Sequence, residues 1–374
     1  MKKRRNGITV VICIIAMAVM LLAGCGKDGS ETEKKEEGGK DKRPVIGISM
    51  STQTQARQLK DVEYLTKELD ALGYDVMVQY AEMKPVDQSA QIDNMVASGC
   101  KGIIISAWDA SALSTCVDNA AAMDIPVLCY DTLISNTENV DYYVTDNLYD
   151  CGKIQGEYIV SALGLDKGEK GPFNIEIFSG DPADSNAPYF YDGAYDAIKK
   201  YLDDGSLVVQ SGQVEREVTA TEGWKGLKAQ ERMDTILSAN YGSKHVDAVL
   251  CNNDALAVGV LASLKNAGYG TEANPYPIIT GMDCDIANIR AIRADEISMT
   301  VFKDNRLIAA KAAEVMDCMI KGETPNAGDV YETTFNNGVK DVTAFLIAPE
   351  IIDKNNYQEV LFDSGYYTED MLDD

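Results

Sequence analysis

Short apolar runs in this chain repeatedly end in a carboxylate, an amide or a cation. After "GIIIS" come Ala107, Trp108 and Asp109; after "IPVLCY" come Asp131 and Thr132. "FNIEIFSG" leads into Asp181, Asp184, Ser185 and Asn186, and "VDAVLC" into Asn252, Asn253 and Asp254. "PIITG" is followed by Met282 and Asp283, and "ISMTVF" by Lys303, Asp304 and Asn305. Any one Asp or Asn could simply cap the next helix, since its side chain accepts backbone N–H bonds. Asp146, Asp304 and Asn305 read as no more than caps. The whole set suggests a surface of donors and paired acceptors, which suits a neutral polyhydroxylated ligand because each hydroxyl both donates and accepts. Sugars also present apolar C–H faces to flat rings, so Trp108 and Trp224, the only tryptophans, are candidate platforms. Tyr189, Phe190 and Tyr191 are weaker candidates, since "YFYDGAYDAI" could be one apolar helix face.

Other chemistries fit poorly. The first strand–helix turn, "SMSTQTQARQ", has no glycine between Ser49 and Gly73, where a nucleotide site would bring backbone N–H groups to phosphate. Its cation is Arg57. There is no P-loop or GxGxxG, and "GISMS" lacks the final glycine of a nucleophile elbow. The one histidine, His245, precedes a strand, away from the strand ends, which argues against a Ser-His-Asp or Cys-His site. No His/Cys cluster or EF-hand spacing marks a metal site. Asp109 and Asp283 could form a glycosidase pair, a weak reading because acids are common. The expectation is a binding protein without catalytic residues, metal or cofactor.

These residues are positioned by alternating strands and helices. Strands are expected at 45–50, 75–80, 102–106, 126–130, 173–179, 206–210, 246–251, 277–281 and 298–302. Helices are expected near 56–72, 86–98, 111–123, 147–163, 190–203, 225–240, 254–267, 286–294 and 305–321. Apolar strands alternating with amphipathic helices indicate parallel sheets covered on both faces. About 330 residues exceed one ordinary sheet, so the α/β chain is expected to form two doubly wound lobes.

The ends differ from the body. "MKKRRNG" is basic, "ITVVICIIAMAVMLLAG" is apolar, and the stretch closes on Leu22-Ala23-Gly24-Cys25. Small residues before a cysteine resemble a bacterial lipoprotein signal, which implies a signal peptide over 1–24 and lipidation at Cys25. An uncleaved anchor with an incidental cysteine is the other reading. Residues 25–43, charged and glycine-containing, read as a disordered tether. The net charge is −25 and becomes −29 without the four basic residues of the leader. Such a body repels nucleic acid and anionic lipid headgroups. Apart from Cys13 and Cys25, seven cysteines remain, an odd number without a CxxC, and they read as buried small hydrophobes.

From about Val45 onward the chain resembles the type I bacterial solute-binding proteins of sugar ABC transporters, in their xylose and multiple-monosaccharide branch. The resemblance rests on "QIDNMVASG", "GPFNIEIFSGDPADSNA", "VDAVLCNNDALAVG", "MTVFKD", "NNGVKDV" and "NNYQEVLFDSGYYTEDML". It implies two Rossmann-like lobes joined by three crossing segments and a monosaccharide, such as xylose, glucose, galactose or arabinose, clamped between them. The expected lobes are 44–146 with 304–334, and 147–303 with 335–374. Arg57, Asp109 and Asp131 would bind sugar from the first lobe. Asn186, Asn253, Asp283, Lys303 and the stacking Trp224 would do so from the second, with Asp184 in the same motif. Two departures stand out: Gln58 where the family often has Trp, and Thr132 where it often has Arg. Trp108 is a candidate replacement for the lost aromatic. The implied partners are a permease and its ATPase, with a lipid-anchored monomer on the outer face of a Gram-positive cytoplasmic membrane. Sensing through a kinase or chemoreceptor, or binding another small polar ligand, is the alternative.

Overall fold

The computed structural model describes residues 42–373; the expected signal peptide, Cys25 and most of the tether lie outside them. Among the described residues the order is β1 (Val45–Met50), α1 (Ala56–Ala71), β2 (Asp75–Tyr80), α2 (Pro85–Ala97), β3 (Gly102–Ile105), α3 (Ser114–Ala121), β4 (Val127–Tyr130) and β5 (Tyr142–Asp146). There follow α4 (Leu148–Ala162), β6 (Phe173–Phe178), α5 (Ala187–Asp203), β7 (Leu207–Val208), α6 (Arg216–Thr219), α7 (Gly226–Asn240), β8 (Ala248–Cys251) and α8 (Asp254–Asn266). Next come β9 (Ile278–Met282), α9 (Ile286–Arg293), β10 (Met299–Phe302), α10 (Asn305–Lys321), β11 (Tyr331–Asn336), β12 (Asp341–Ile347) and β13 (Glu350–Asp353), before a tail with short helical turns at Gln358–Asp363 and Glu369–Leu372.

Two sheets result, ordered β11-β12-β5-β4-β3-β1-β2 and β13-β10-β9-β8-β6-β7. Each contains the same parallel arrangement, β2-β1-β3-β4-β5 in one and β7-β6-β8-β9-β10 in the other. The central strands are apolar and fully buried, as in "GIII", "VLCY" and "AVLC", because helices cover both faces. In this order the chain winds in opposite directions from β1 and from β6. The crevices beside β1/β3 and β6/β8 therefore open at the carboxyl ends of those strands.

The paired helices are fitted backbone to backbone at glycines. A Cβ on Gly152 of α4 would lie 1.9 Å from the Phe190 carbonyl of α5, and one on Gly193 would lie 2.0 Å from that of Tyr149. Gly259 of α8 meets the Gly226 carbonyl in the same way, at 2.1 Å.

All the expected helices form. Three stretches lie outside the expected strands: β5, the hairpin β11–β12, and β13. The hairpin corrects the lobe boundaries. The expected second lobe includes residues 335–347, but β12 pairs in parallel with β5 and β11 antiparallel with β12, extending the first sheet. Only β13 returns to the second, antiparallel to β10. The crossings fall after Asp146, between Phe302 and Asn305, and between Ile347 and Glu350. A hairpin's sheet is chosen by long-range pairing with an open edge, which local patterning does not encode.

Six of the seven expected cysteines are buried, Cys318 is partly buried, and all seven are free thiols.

Candidate functional site

Between the lobes lies a cleft of about 710 Å³, within the usual range for small-molecule sites. Nine of the ten expected residues line it: Arg57, Trp108, Asp131, Asp184, Asn186, Trp224, Asn253, Asp283 and Lys303. They arrive on the first turn of α1, on the loops that follow β3, β4, β6, β8, β9 and β10, and on the turn before α7. The tenth, Asp109, is a correction. It is not on the cleft wall, and its Oδ1 accepts from the N–H and the hydroxyl of Ser111, closing its own turn. Asp109 and Asp283 are therefore not brought together as a carboxylate pair. His245 is also elsewhere, stacked on Tyr269 with Nδ1 3.0 Å from Asn274 Oδ1.

Arg57 enters from the first turn of α1 and is held at both terminal nitrogens. Nη1 donates to Asp131 Oδ1 at 2.8 Å and Nη2 to Asp146 Oδ2 at 2.9 Å. Asp146, which the sequence suggests as a cap, is fully buried; the residue that caps α4 is Asn147, which accepts from Asp150 N. Burial pushes the Asp146 carboxyl up to about 7 despite Arg57 beside it. Burial acts on Asp131 in the same direction, but the positive charges of Arg57 and Lys303 outweigh it and hold that carboxyl below its ordinary value. Lys303, 5% exposed, pairs with Asp283 at 2.8 Å and lies 5.3 Å above the Phe190 ring. Both inner cations are thus neutralised within the protein.

Gln58 explains the glycine-free first turn. Buried, it accepts from Thr52 N at 3.0 Å and donates to Ser51 Oγ at 2.6 Å, so side-chain bonds hold a turn that a nucleotide site would build from glycine. Gln88 of α2 does the same after β3, donating to Ser106 O and accepting from Trp108 N. It thereby fixes the backbone that carries Trp108.

In the second lobe Asp184 accepts from Asn186 N at 2.8 Å and from Trp224 Nε1 at 3.1 Å. Burial pushes its carboxyl up to about 6, and does the same for Asp285, which follows β9 in the same lobe. Trp224 is 9% exposed and has φ +54°, and its ring rests against Gly180. A Cβ there would lie 2.0 Å from the ring. Phe190 meets Trp224 edge to face, with centroids 6.3 Å apart and planes at 70°. The two rings form a corner. Of the three aromatics in "YFY", only Phe190 lines this cleft; Tyr191 donates to Val214 O and Tyr189 is exposed.

Asn253 fills both roles foreseen for such residues. Its Oδ1 caps α8 through Leu256 N at 3.0 Å, while its amide nitrogen has no hydrogen bond among the described residues. Asn186 spans the lobes, donating to the Asp131 carbonyl at 2.7 Å. The sequence names Phe190 only as a weaker candidate beside Tyr189 and Tyr191, and does not single out Asp146, Gln58 or Gln88 as wall or support residues. For Phe190 the available signal is its place three residues after Ala187 in a helix that starts directly beyond the strand-end acids.

This wall can hold hydroxyls from carboxylates, amides and two paired cations, over apolar ring surface. A family model described as "Periplasmic binding protein domain" matches residues 46–324. A multiple sugar-binding periplasmic protein of Azospirillum brasilense is 44% identical over 328 residues, 87% of this chain and 90% of that protein. The D-xylose-binding periplasmic protein of Escherichia coli is 31% identical, covering 88% of this chain and 93% of its own. Among solved structures, an ABC transporter solute-binding protein from Clostridium phytofermentans with bound β-D-glucose superposes with TM-score 0.81. It is 42% identical and covers 88% of this chain and 99% of that one.

Proposed function

The chain belongs to the type I periplasmic sugar-binding proteins, and from that membership we propose how its cleft selects and hands over a ligand. It is the extracytoplasmic receptor of an ABC importer and takes a neutral monosaccharide, an aldopentose or aldohexose. The observation that carries the neutral choice is the pairing of Arg57 with Asp131 and Asp146, and of Lys303 with Asp283. A carboxylate or phosphate on the ligand would have to displace one of these paired carboxylates. A hydroxyl can instead donate to Asp131, Asp184 or Asp283 and accept from Arg57, Lys303 or the Asn253 amide, without breaking a pair. Trp224 and Phe190 supply apolar surface for the sugar's C–H face, and Trp108 adds a third ring at the first-lobe wall.

The working motion is hinge closure about the three crossing segments, with sugar bonded from both lobes in the closed form that the permease recognises. The two lobes are 43–146 with 304–347, and 147–303 with 350–373. No covalent step is required, and we read the protein as a carrier, not an enzyme. Cys25 is the lipidation site, and the acidic body stands off the outer face of the membrane on its tether, as a monomer.

A thermal-shift screen, followed by calorimetry, tests the ligand class. D-Glucose, D-xylose, D-galactose and L-arabinose should include at least one that raises the melting temperature, while D-glucuronate and glucose 6-phosphate bind at least tenfold more weakly. Tight binding of a uronate or sugar phosphate would overturn the neutral-ligand reading. No response to any sugar would overturn the receptor itself. Labelled palmitate should enter the full-length protein and be lost in Cys25→Ala.

A further inference from the structure

A cluster of buried polar groups behind the cleft takes no share in the sugar wall. Two adjacent residues of the C-terminal tail, Tyr366 and Tyr367, lie at its centre, 3% and 9% exposed. The Tyr366 hydroxyl donates to Asn305 Oδ1, and the Asn305 amide donates to Asp61 Oδ1. Asp61 also accepts from the Tyr130 hydroxyl at 2.6 Å. It sits one turn after Arg57 on α1, and Tyr130 immediately precedes Asp131. The Tyr366 ring packs edge to face on Phe302, centroids 4.8 Å apart, and Phe302 immediately precedes Lys303. It also stacks on Tyr64 of α1 at 6.3 Å.

Tyr367 turns to the other lobe. Its hydroxyl donates to the Cys284 carbonyl at 2.9 Å. That carbonyl belongs to the β9–α9 turn, where Asp283 has φ +102° and Cys284 has φ +56°. Non-glycine residues adopt that region only when surrounding contacts hold them there. Here the contacts come from three sides. The Val301 carbonyl accepts from Asp283 N at 2.9 Å, Asp254 Oδ2 accepts from Asp285 N at 2.7 Å, and the Tyr367 hydroxyl holds Cys284 O.

We propose that Tyr366 and Tyr367 are positioning residues for the sugar site: one dipeptide braces Arg57 and Lys303 through Asn305, Asp61 and Phe302, and braces Asp283 through Cys284. The inference rests on the receptor reading. It places some of the determinant of affinity in a tail whose side chains do not line the cleft. Because the dipeptide touches groups of both lobes beside the crossings, it sets the relative aim of the two halves of the wall.

The test uses Tyr366→Phe and Tyr367→Phe, which keep the rings and remove only the hydroxyls. Tyr74→Phe is the control. Tyr74 is buried and donates to Asp317 Oδ1 at 2.8 Å, a bond of the same kind outside the cleft wall. Dissociation constants for D-glucose and D-xylose are measured by calorimetry alongside ligand-free melting temperatures. All three variants should lose some thermal stability. Only Tyr366→Phe and Tyr367→Phe should bind sugar about tenfold more weakly, the equivalent of about 1.4 kcal/mol. In an Arg57→Lys background the Tyr366→Phe effect should shrink, because both changes act on one network. Unchanged sugar affinity in both tail variants, an equal loss in Tyr74→Phe, or full additivity with Arg57→Lys would overturn the proposal. Failure of the wild-type protein to bind any monosaccharide would remove the receptor reading, and the proposal with it.

Discussion

Asp184 and Asp285 are carboxyls on the cleft wall that burial pushes up to about 6, and neither has an ion-pair partner among the described residues. A group whose folded pKa is raised contributes stability that is fully present below its unfolded value. That stability is lost as pH rises through the folded value. The ligand-free protein should therefore melt at a lower temperature at pH 7.5 than at pH 5.5, a difference read by calorimetry. A sugar hydroxyl donating to either carboxylate favours the charged form, so binding should release protons near pH 6. Affinity should then rise between pH 5 and 7. Titrations at pH 6 in two buffers of different ionisation enthalpy will show this, and identical heats would contradict it. Trp108→Ala should weaken sugar binding by about an order of magnitude, on the scale of a lost aromatic contact. Affinity unchanged in that variant would exclude Trp108 as a platform. Of the ten residues named as candidates, Asp109 alone misses the wall. Its turn is closed by Ser111 two residues on, a local bond that competes with any ligand.

At the scale of elements, glycines place the aromatic corner. Trp224 reaches its position because Gly180, just beyond β6, leaves room for the ring, and Phe190 reaches its own because Gly152 lets α4 press on its carbonyl. Gly180→Ala should leave the protein folded but displace the indole, lowering sugar affinity more than tenfold with a modest fall in melting temperature. Gly152→Ala forces the α4 and α5 backbones apart. It should cost several degrees of melting temperature, in keeping with about 1–3 kcal/mol for overpacking, and weaken binding as Phe190 shifts. Calorimetry of ligand-free and sugar-loaded variants separates the two outcomes. The helices themselves are legible because apolar residues recur with their period, and the central strands because they are unbroken apolar runs. The hairpin β11–β12 is harder. It lies at a sheet edge, where "YETTFN" alternates partly exposed and exposed residues and lacks the core strands' apolar signal.

At the scale of the whole molecule, two similar sheets among the described residues face a cleft, with bonds already running across it. Asn186 of the second lobe donates to the Asp131 carbonyl of the first, and Tyr189 meets Phe335 edge to face with centroids 5.8 Å apart. These contacts favour the closed arrangement. Asn186→Ala should shift the ligand-free protein toward open forms, raising its radius of gyration in small-angle scattering, while excess sugar restores the compact value. An unchanged ligand-free profile would show that Asn186 does not belong to the latch. Alternation of strand and helix and the carboxylates and amides at strand ends are readable from the sequence, because each is written within a window of ten to twenty residues, and the acidic balance is read from composition alone. Only the tertiary structure decided that Asp146 is an ion-pair partner and not a cap. The same holds for the placing of residues 335–347 in the first sheet and for the tail tyrosines lying behind both halves of the site. Each of these depends on groups far apart in the chain, and which distant group meets which is settled by packing, not by local pattern.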